Sequence, residues 1–391
     1  MQYVPHVLQR GVSGKGVPSV ILAANRTRAT PGVMVAIAVA VVGCSDRPSP
    51  VVGIAMGMNV GIAQAVLPAR QKRFNDSVST RQRIALRMPR DSAEGSDALM
   101  WADQLVRTPG LIGVVGHESS RSALQAAPIY REHRVVQIVP TGTSGKLANV
   151  SPWTFPLVAS DSLQGKLLAQ YVVASGRKRL TLLVQDDEYG RGIVTSIENA
   201  LIGTDVQVLE NVMHTPQSDY ALLVRSMFSH VPRPDVLALI TRGNIAIKVA
   251  RMAWMIEPTL FVLGSDAAIS GASELRSLAP APDQLALATY WLPDSTNIVT
   301  QAFLRDFRAS NPGGEPQWNH AALYDAVGLL NTAAADVGGN PTAVRNWLLS
   351  LGRNRPSYRG VLGLIDFTGK HAIAARLIRP SVTGWELASE R

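Results

Sequence analysis

An α/β protein built on two doubly wound parallel sheets is what this sequence predicts, on three observations. Short aliphatic runs alternate with amphipathic helical segments along most of the chain, the pattern of parallel strands covered on both faces. The alternation comes as two series, split near Ala159. The length, 391 residues, exceeds the size at which one core keeps growing, and a composition of 46% apolar and 17% charged residues suits a packed body.

The first series opens with Val51-Val52-Gly53-Ile54-Ala55-Met56, an apolar run of strand length. Ala93 to Val106 reads as a helix, Leu111 to Val115 as a second buried strand, and Ser122 to His133 as a helix with apolar residues at helical spacing. Val135 to Val139 is the third strand, ended by Pro140. The second series begins with helix Leu163 to Ser175 and strand Leu180 to Val184. Helix Gly192 to Ile202, strand Val206 to Val212 and helix Tyr220 to Phe228 follow. Strand Val236 to Ile240, helix Ile245 to Met255 and strand Leu260 to Leu263 complete the rhythm. Beyond it lie a strand over Leu285 to Trp291 and a long helix over Ala321 to Val337. Gly360 to Phe367, followed by Thr368-Gly369-Lys370, reads as a hairpin. No sequence repeat and no low-complexity tract interrupts this order.

Ahead of the first strand, residues 1–43 carry Arg10, Lys15, Arg26 and Arg28 and no acid. They end in the apolar run Val33 to Gly43, well short of the ~20 residues that a spanning helix needs. This is the pattern of a secretory signal. Cys44 follows at once and is the only cysteine, so an intramolecular disulfide is impossible. Such a thiol either carries a lipid or is a buried free cysteine, and Ser45 to Pro50 reads as a short flexible tether. Of the formal net charge of +9, four belong to the leader's basic residues. Much of the rest falls in Arg70, Lys72, Arg73, Arg81, Arg83, Arg87 and Arg90, opposed only by Asp76. Phe74 is the one aromatic among them, which argues against nucleic acid. A solvated helix and turn facing anionic lipids is the expectation.

Ligands of open parallel sheets bind beyond the carboxyl ends of the strands, so the loops there carry the functional reading. Gly116-His117-Glu118-Ser119-Ser120 and Pro140-Thr141-Gly142-Thr143-Ser144 are rich in small and hydroxyl residues that suit a carboxylate. Ser119 and Ser120 also fit plain helix caps. Asp186-Asp187-Glu188-Tyr189-Gly190 and Gly264-Ser265-Asp266 follow two strands of the second series. Hydroxyl turns on one side and a carboxylate on the other are complementary to the two poles of a zwitterion. Catalytic patterns are missing: the chain has no His-Glu-x-x-His and no Gly-Lys-Ser/Thr phosphate loop. Gly142-Thr143-Ser144-Gly145 is not a nucleophile elbow, and Gly53, Gly57 and Gly61 do not have dinucleotide spacing. The histidines are scattered, and His117 beside Glu118 is either a loop histidine or an acid/base or metal pair. No enzyme, metal or cofactor is expected.

Several stretches occur in an order that resembles the type I periplasmic binding proteins, specifically the leucine/isoleucine/valine-binding family of ABC importers. They are Gly113 to Ser120, Ala126 to Tyr130, Val139 to Ser144, Ala159 to Gly165, Asp187 to Gly192, Leu263 to Asp266, and Ala322 to Val327. The Val41-Val42-Gly43-Cys44 stretch resembles a bacterial lipobox, in which the cysteine is acylated. The resemblance implies two lobes that close on a three-segment hinge, with crossings near Ala159 to Ser162, Leu287 to Trp291 and about Gly360. Residues 1–43 would then be a lipoprotein signal peptide and 44–50 a lipidated tether. Lobe 1 would comprise 51–159 plus 291–359, and lobe 2 160–290 plus 360–391. By the same resemblance Ser120 donates to a ligand carboxylate, and the backbone and hydroxyls of Thr141, Gly142 and Thr143 hold carboxylate and ammonium. Tyr189 lies over the ligand, and Asp266 pairs with the ammonium. The implied function is an extracytoplasmic lipoprotein that captures an amino-acid-like ligand and delivers it to an ABC permease. The alternative is a sensor or partner-protein activator of the same fold. Three places depart from the family pattern. Thr241-Arg242-Gly243-Asn244 stands where many relatives carry an aromatic, Gly57-Met58-Asn59-Val60-Gly61 is atypical, and the Arg70 to Arg90 segment is shorter and more basic than usual. Arg242 either favours a second anionic group on the ligand or faces solvent. These departures weigh against a branched-chain ligand and leave the binding mode intact.

Overall fold

The computed structural model describes residues 48–56, 60–88, 98–229, 231–369, 373–382 and 384–388. The leader, Cys44 and Gly57 to Asn59 lie outside these residues. Two sheets organise the described chain. The first takes β1 (Val51–Ala55), α1 (Val60–Ser77), β2 (Ala85–Arg87), α2 (Ala98–Val106), β3 (Leu111–Gly116), α3 (Ser120–Glu132), β4 (Val136–Val139), α4 (Leu147–Val150) and β5 (Thr154–Pro156). Its strand order is β2-β1-β3-β4-β5, parallel throughout. Both faces are covered, so β3 and β4 are buried at every position, which is why they are written as unbroken aliphatic runs.

The second sheet follows with α5 (Asp161–Ala174), β6 (Arg179–Gln185), α6 (Glu188–Leu201), β7 (Gln207–His214), α7 (Tyr220–Met227), β8 (Val236–Ile240), α8 (Gly243–Ile256), β9 (Phe261–Gly264), α9 (Ala272–Leu278) and β10 (Leu285–Thr289). The chain then returns to the first lobe as α10 (Ile298–Ser310), α11 (Trp318–Val337) and α12 (Pro341–Ser350), with the short strands β11 (Tyr358–Arg359) and β12 (Leu364–Ile365). It ends in the second sheet as β13 (Arg376–Ser381) and β14 (Gly384–Leu387). That sheet has the order β14-β13-β10-β9-β8-β6-β7. Its β13 and β14 run antiparallel, so it is mixed where the sequence predicts a purely parallel sheet.

Three further expectations change. The third crossing is not at Gly360, because Asp325 of α11 accepts the amides of Val361 and Leu362 and keeps that stretch on the first lobe. The chain crosses between Ile365 and Arg376. The hairpin is the pair β11–β12, turning through Gly360 to Gly363 and not through Thr368-Gly369. The basic stretch is half packed. α1 lies against α10 and α11, Arg70 stacks its guanidinium 3.8 Å from the Tyr324 ring centroid, and Arg73 binds Asp306 and the Tyr324 hydroxyl. Arg81, Arg83 and Arg87 are exposed.

Candidate functional site

In each sheet the strand order reverses where the loops diverge, and those are the places where a crevice forms. In the first sheet the reversal lies between β1 and β3, and α3 springs from the end of β3. Ser119 is the helix cap, accepting the Ser122 amide at 3.2 Å. Ser120 is not a cap. Its Oγ accepts the amides of Thr143 at 3.1 Å and Ser144 at 3.0 Å, lacing the loop after β3 to the loop after β4. A hydroxyl that accepts twice still has its own proton to give. The Thr143 amide is thereby committed to Ser120, which corrects its expected role as a ligand donor. Thr141 donates its hydroxyl to the Glu118 carbonyl at 2.7 Å. Gly142 does not line the cavity. It packs on Val139 and Leu147, where a Cβ would come within 2.8 Å of Val139 Cγ1.

The second sheet reverses between β6 and β8. After β6, Asp187 caps α6 by accepting the Gly190 amide at 2.9 Å, and its other oxygen accepts from Gln185 at 2.6 Å. Tyr189, one residue into α6, does not lie free over the cleft: its hydroxyl donates to Asp266 Oδ1 at 2.6 Å. Asp266 opens a 3₁₀ turn, Asp266–Gly271, directly beyond β9. Gln164 of α5 clamps it from two sides, accepting its amide at 3.1 Å and donating to Oδ1 at 2.8 Å. Gln164 also donates to the Tyr290 hydroxyl, which in turn donates to the Ala159 carbonyl, so the clamp is fixed to two crossings of the hinge. Burial pushes the Asp266 carboxyl above its ordinary range, against the pull of the bonds from Tyr189 and Gln164.

A second acid belongs to this site and carries no assigned role in the sequence reading. Asp161, the first residue of α5, donates its amide to the Thr143 carbonyl at 2.8 Å. The residue is 2% exposed, no charged group pairs with its carboxylate among the described residues, and only the Thr143 hydroxyl comes near it. Burial pushes the carboxyl up to about 7, with Asp266, Asp187 and Glu188 adding to the shift and the Thr143 hydroxyl opposing it. An acid at the start of a helix is ordinary capping chemistry in a sequence, so nothing but its position just past the first crossing marks it out. Asp161 and Asp266 thus form a buried acidic pole, and among the described residues neither makes an ion pair.

Between the sheets lies a cavity of about 490 Å³. Ser120, Thr141 and Thr143 reach it from one lobe and Tyr189 and Asp266 from the other. Arg242 and Asn244, at the start of α8, also line it, and both are exposed. Lys146 and Glu188 pair across the two lobes at 2.7 Å. His117 is buried behind the site with its Nε2 2.9 Å from the Tyr130 hydroxyl, and burial lowers it to about 4. It is a packed histidine whose hydrogen bond goes to Tyr130. No cluster of metal-ligating side chains occurs among the described residues, and no helix among them is long and apolar enough to cross a membrane.

A family model described as periplasmic binding protein matches residues 90–379. The chain is 22% identical over 302 residues to an amino acid binding protein of Pseudomonas aeruginosa, covering 73% of this chain and 78% of that one. It is 24% identical over 298 residues to Leu/Ile/Val-binding protein homolog 1 of Brucella melitensis, covering 74% and 76%. Its fold is similar to the branched-chain amino acid transporter substrate-binding protein LivJ of Streptococcus pneumoniae, solved in complex with isoleucine. The TM-score is 0.73 at 19% identity, over 87% of this chain and 99% of the other.

Proposed function

Because this chain belongs to the periplasmic binding protein family, in the branch of the Leu/Ile/Val-binding proteins, we propose that it captures an amino-acid-like solute by closing its lobes and delivers it to an ABC importer. It works outside the cytoplasm, held at the membrane by lipid on Cys44. One observation carries the reading: the hydroxyl turns of one lobe and Asp266 of the other line the same cavity. The Ser120 proton faces a ligand carboxylate, with Thr141 and Thr143 lining that end, while Asp266 faces its ammonium and the buried Asp161 adds negative charge from nearby. Bonds between such charged ends and a dry site are short and strong. Tyr189 orients Asp266 by its hydroxyl and walls the ligand with its ring.

Thermal-shift screening against amino acids, small amides and short carboxylates is expected to raise the melting temperature with an α-amino acid. Asp266→Ala and Ser120→Ala should each weaken that ligand by about 2 kcal/mol or more, since each leaves one buried pole unpaired. Calorimetric affinities unchanged in both variants would remove these residues from the site. Cys44→Ser is expected to move the protein from the membrane to the soluble fraction, and an unaltered distribution would end the anchor proposal.

A further inference from the structure

A second cavity, of about 430 Å³, adjoins the cleft. Trp318 and Ile269 stand in the walls of both, so these two side chains form the partition between them. The partition is pinned by bonds that join the two lobes. Trp318 Nε1 donates to the Asp266 carbonyl at 3.3 Å, and Gln317 Nε2 donates to the Ile269 carbonyl at 3.1 Å.

Three indoles from separate parts of the chain line this chamber. Trp318 opens α11, Trp291 follows β10, and Trp385 belongs to β14. Other rings hold two of them in place. Trp318 meets Tyr290 edge-on with centroids 4.8 Å apart, and Trp291 meets Phe303 in the same way at 5.5 Å. Rings fixed in this way lose little freedom when a ligand arrives, and their faces suit a flat apolar body.

One cation is set beside them. Arg276, in the last turn of α9, lines the chamber and is half-buried. Among the described residues its guanidinium has neither an ion pair nor a hydrogen bond. A Cβ on Gly384 would stand 3.7 Å from its Nη1, which puts the charge next to the residue that precedes Trp385. A guanidinium partly stripped of water and given no acid is complementary to an anion. Glu315 is the one acid on the wall, and it is exposed.

We propose that this chamber is a second binding site, separate from the amino-acid cleft, and that it takes an aromatic carboxylate. The ring packs among Trp291, Trp318 and Trp385, and the carboxylate pairs with Arg276. A planar guanidinium meets a carboxylate through two parallel N–H···O bonds, which gives the charged end a defined orientation.

Calorimetric titration of the purified full chain with indole-3-acetate, indole and tryptamine tests this. The three share one ring system and carry a negative charge, no charge and a positive charge. Indole-3-acetate should bind about tenfold or more tighter than either of the others. Arg276→Met should abolish that advantage, while Arg276→Lys keeps part of it. Arg276 bonds to no other described residue, so neither variant threatens the fold. Ser120→Ala, a change in the cleft, should leave the indole-3-acetate affinity within about twofold. Indole or tryptamine binding as tightly as the acid, or an acid advantage that survives Arg276→Met, overturns the proposal. So does a loss of binding in Ser120→Ala, which would put the acid in the cleft, and so does an absence of binding by all three compounds.

Discussion

Two buried polar clusters in this molecule have similar ingredients and opposite completeness. In the first lobe, Asp325 is fully buried, yet its two oxygens accept the amides of Val361 and Leu362 at 2.9 and 2.8 Å. Arg70 lies over the neighbouring Tyr324 ring and donates to Tyr358, and Arg73 pairs with Asp306. A Cβ on Gly360 would strike the Asp325 carboxylate, so glycine is what lets the β11–β12 turn close on it. In the second lobe, Asp161 is as deeply buried with no charged partner among the described residues, and Asp266 is held by neutral donors alone. The first cluster supplies its own counter-charge and closes on itself, which is architecture. The second leaves its counter-charge to be brought in, which is what a receptor for a cation requires.

The contrast breaks most directly at Asp325. Asp325→Ala would leave two buried amides and the Arg70 guanidinium uncompensated, and should cost about 4 kcal/mol in urea unfolding. Amino-acid affinity of the folded fraction should stay within about twofold, because no atom of Asp325 lines the cavity. A large loss of affinity without loss of stability would make this cluster part of the site.

Asp161→Asn should do the reverse. The carboxyl rests at about 7 in the folded chain, above its ordinary 3.8. The folded state therefore holds a proton that the unfolded state has released, and stability falls as pH rises from about 4 through about 7. Removing the charge should stabilise the ligand-free protein by on the order of 3 kcal/mol at pH 8, a gain that vanishes near pH 4. Denaturant unfolding at the two pH values checks this, and a destabilised variant at pH 8 would mean that Asp161 is already paired.

How much of this was legible in the sequence follows from the range of the interactions. β3, β4, β8 and β9 are buried on both faces, and an aliphatic run between turn residues can hardly be read otherwise. Ser120, Thr141, Thr143, Tyr189 and Asp266 were legible as well, because each sits in the loop or first turn following such a strand. What each atom does was not. The Ser120 bonds to the next loop, the Gln164 clamp on Asp266 and the seat of Arg70 on Tyr324 join residues far apart in the chain. β13 was hidden by its own composition, since Arg376, Arg379 and Pro380 interrupt the apolar pattern of an edge region.

The smallest expected effect sharpens the cleft side of the comparison. A ligand ammonium gains most from Asp161 when that carboxyl is ionised, and without ligand this happens only above about pH 7. Below that value, binding must first expel the proton. Affinity should therefore be flat above pH 7 and fall by up to about tenfold, ~1.4 kcal/mol, for each unit below it. Calorimetry at pH 8, 7 and 6 reads the slope, and the proton release can be counted from the buffer dependence of the heat. Asp161→Asn should bind more weakly than the parent at pH 8 and show no such slope. A parent profile that is flat across this range would place Asp161 out of reach of the ligand, and leave Asp266 as the sole acid of the pole.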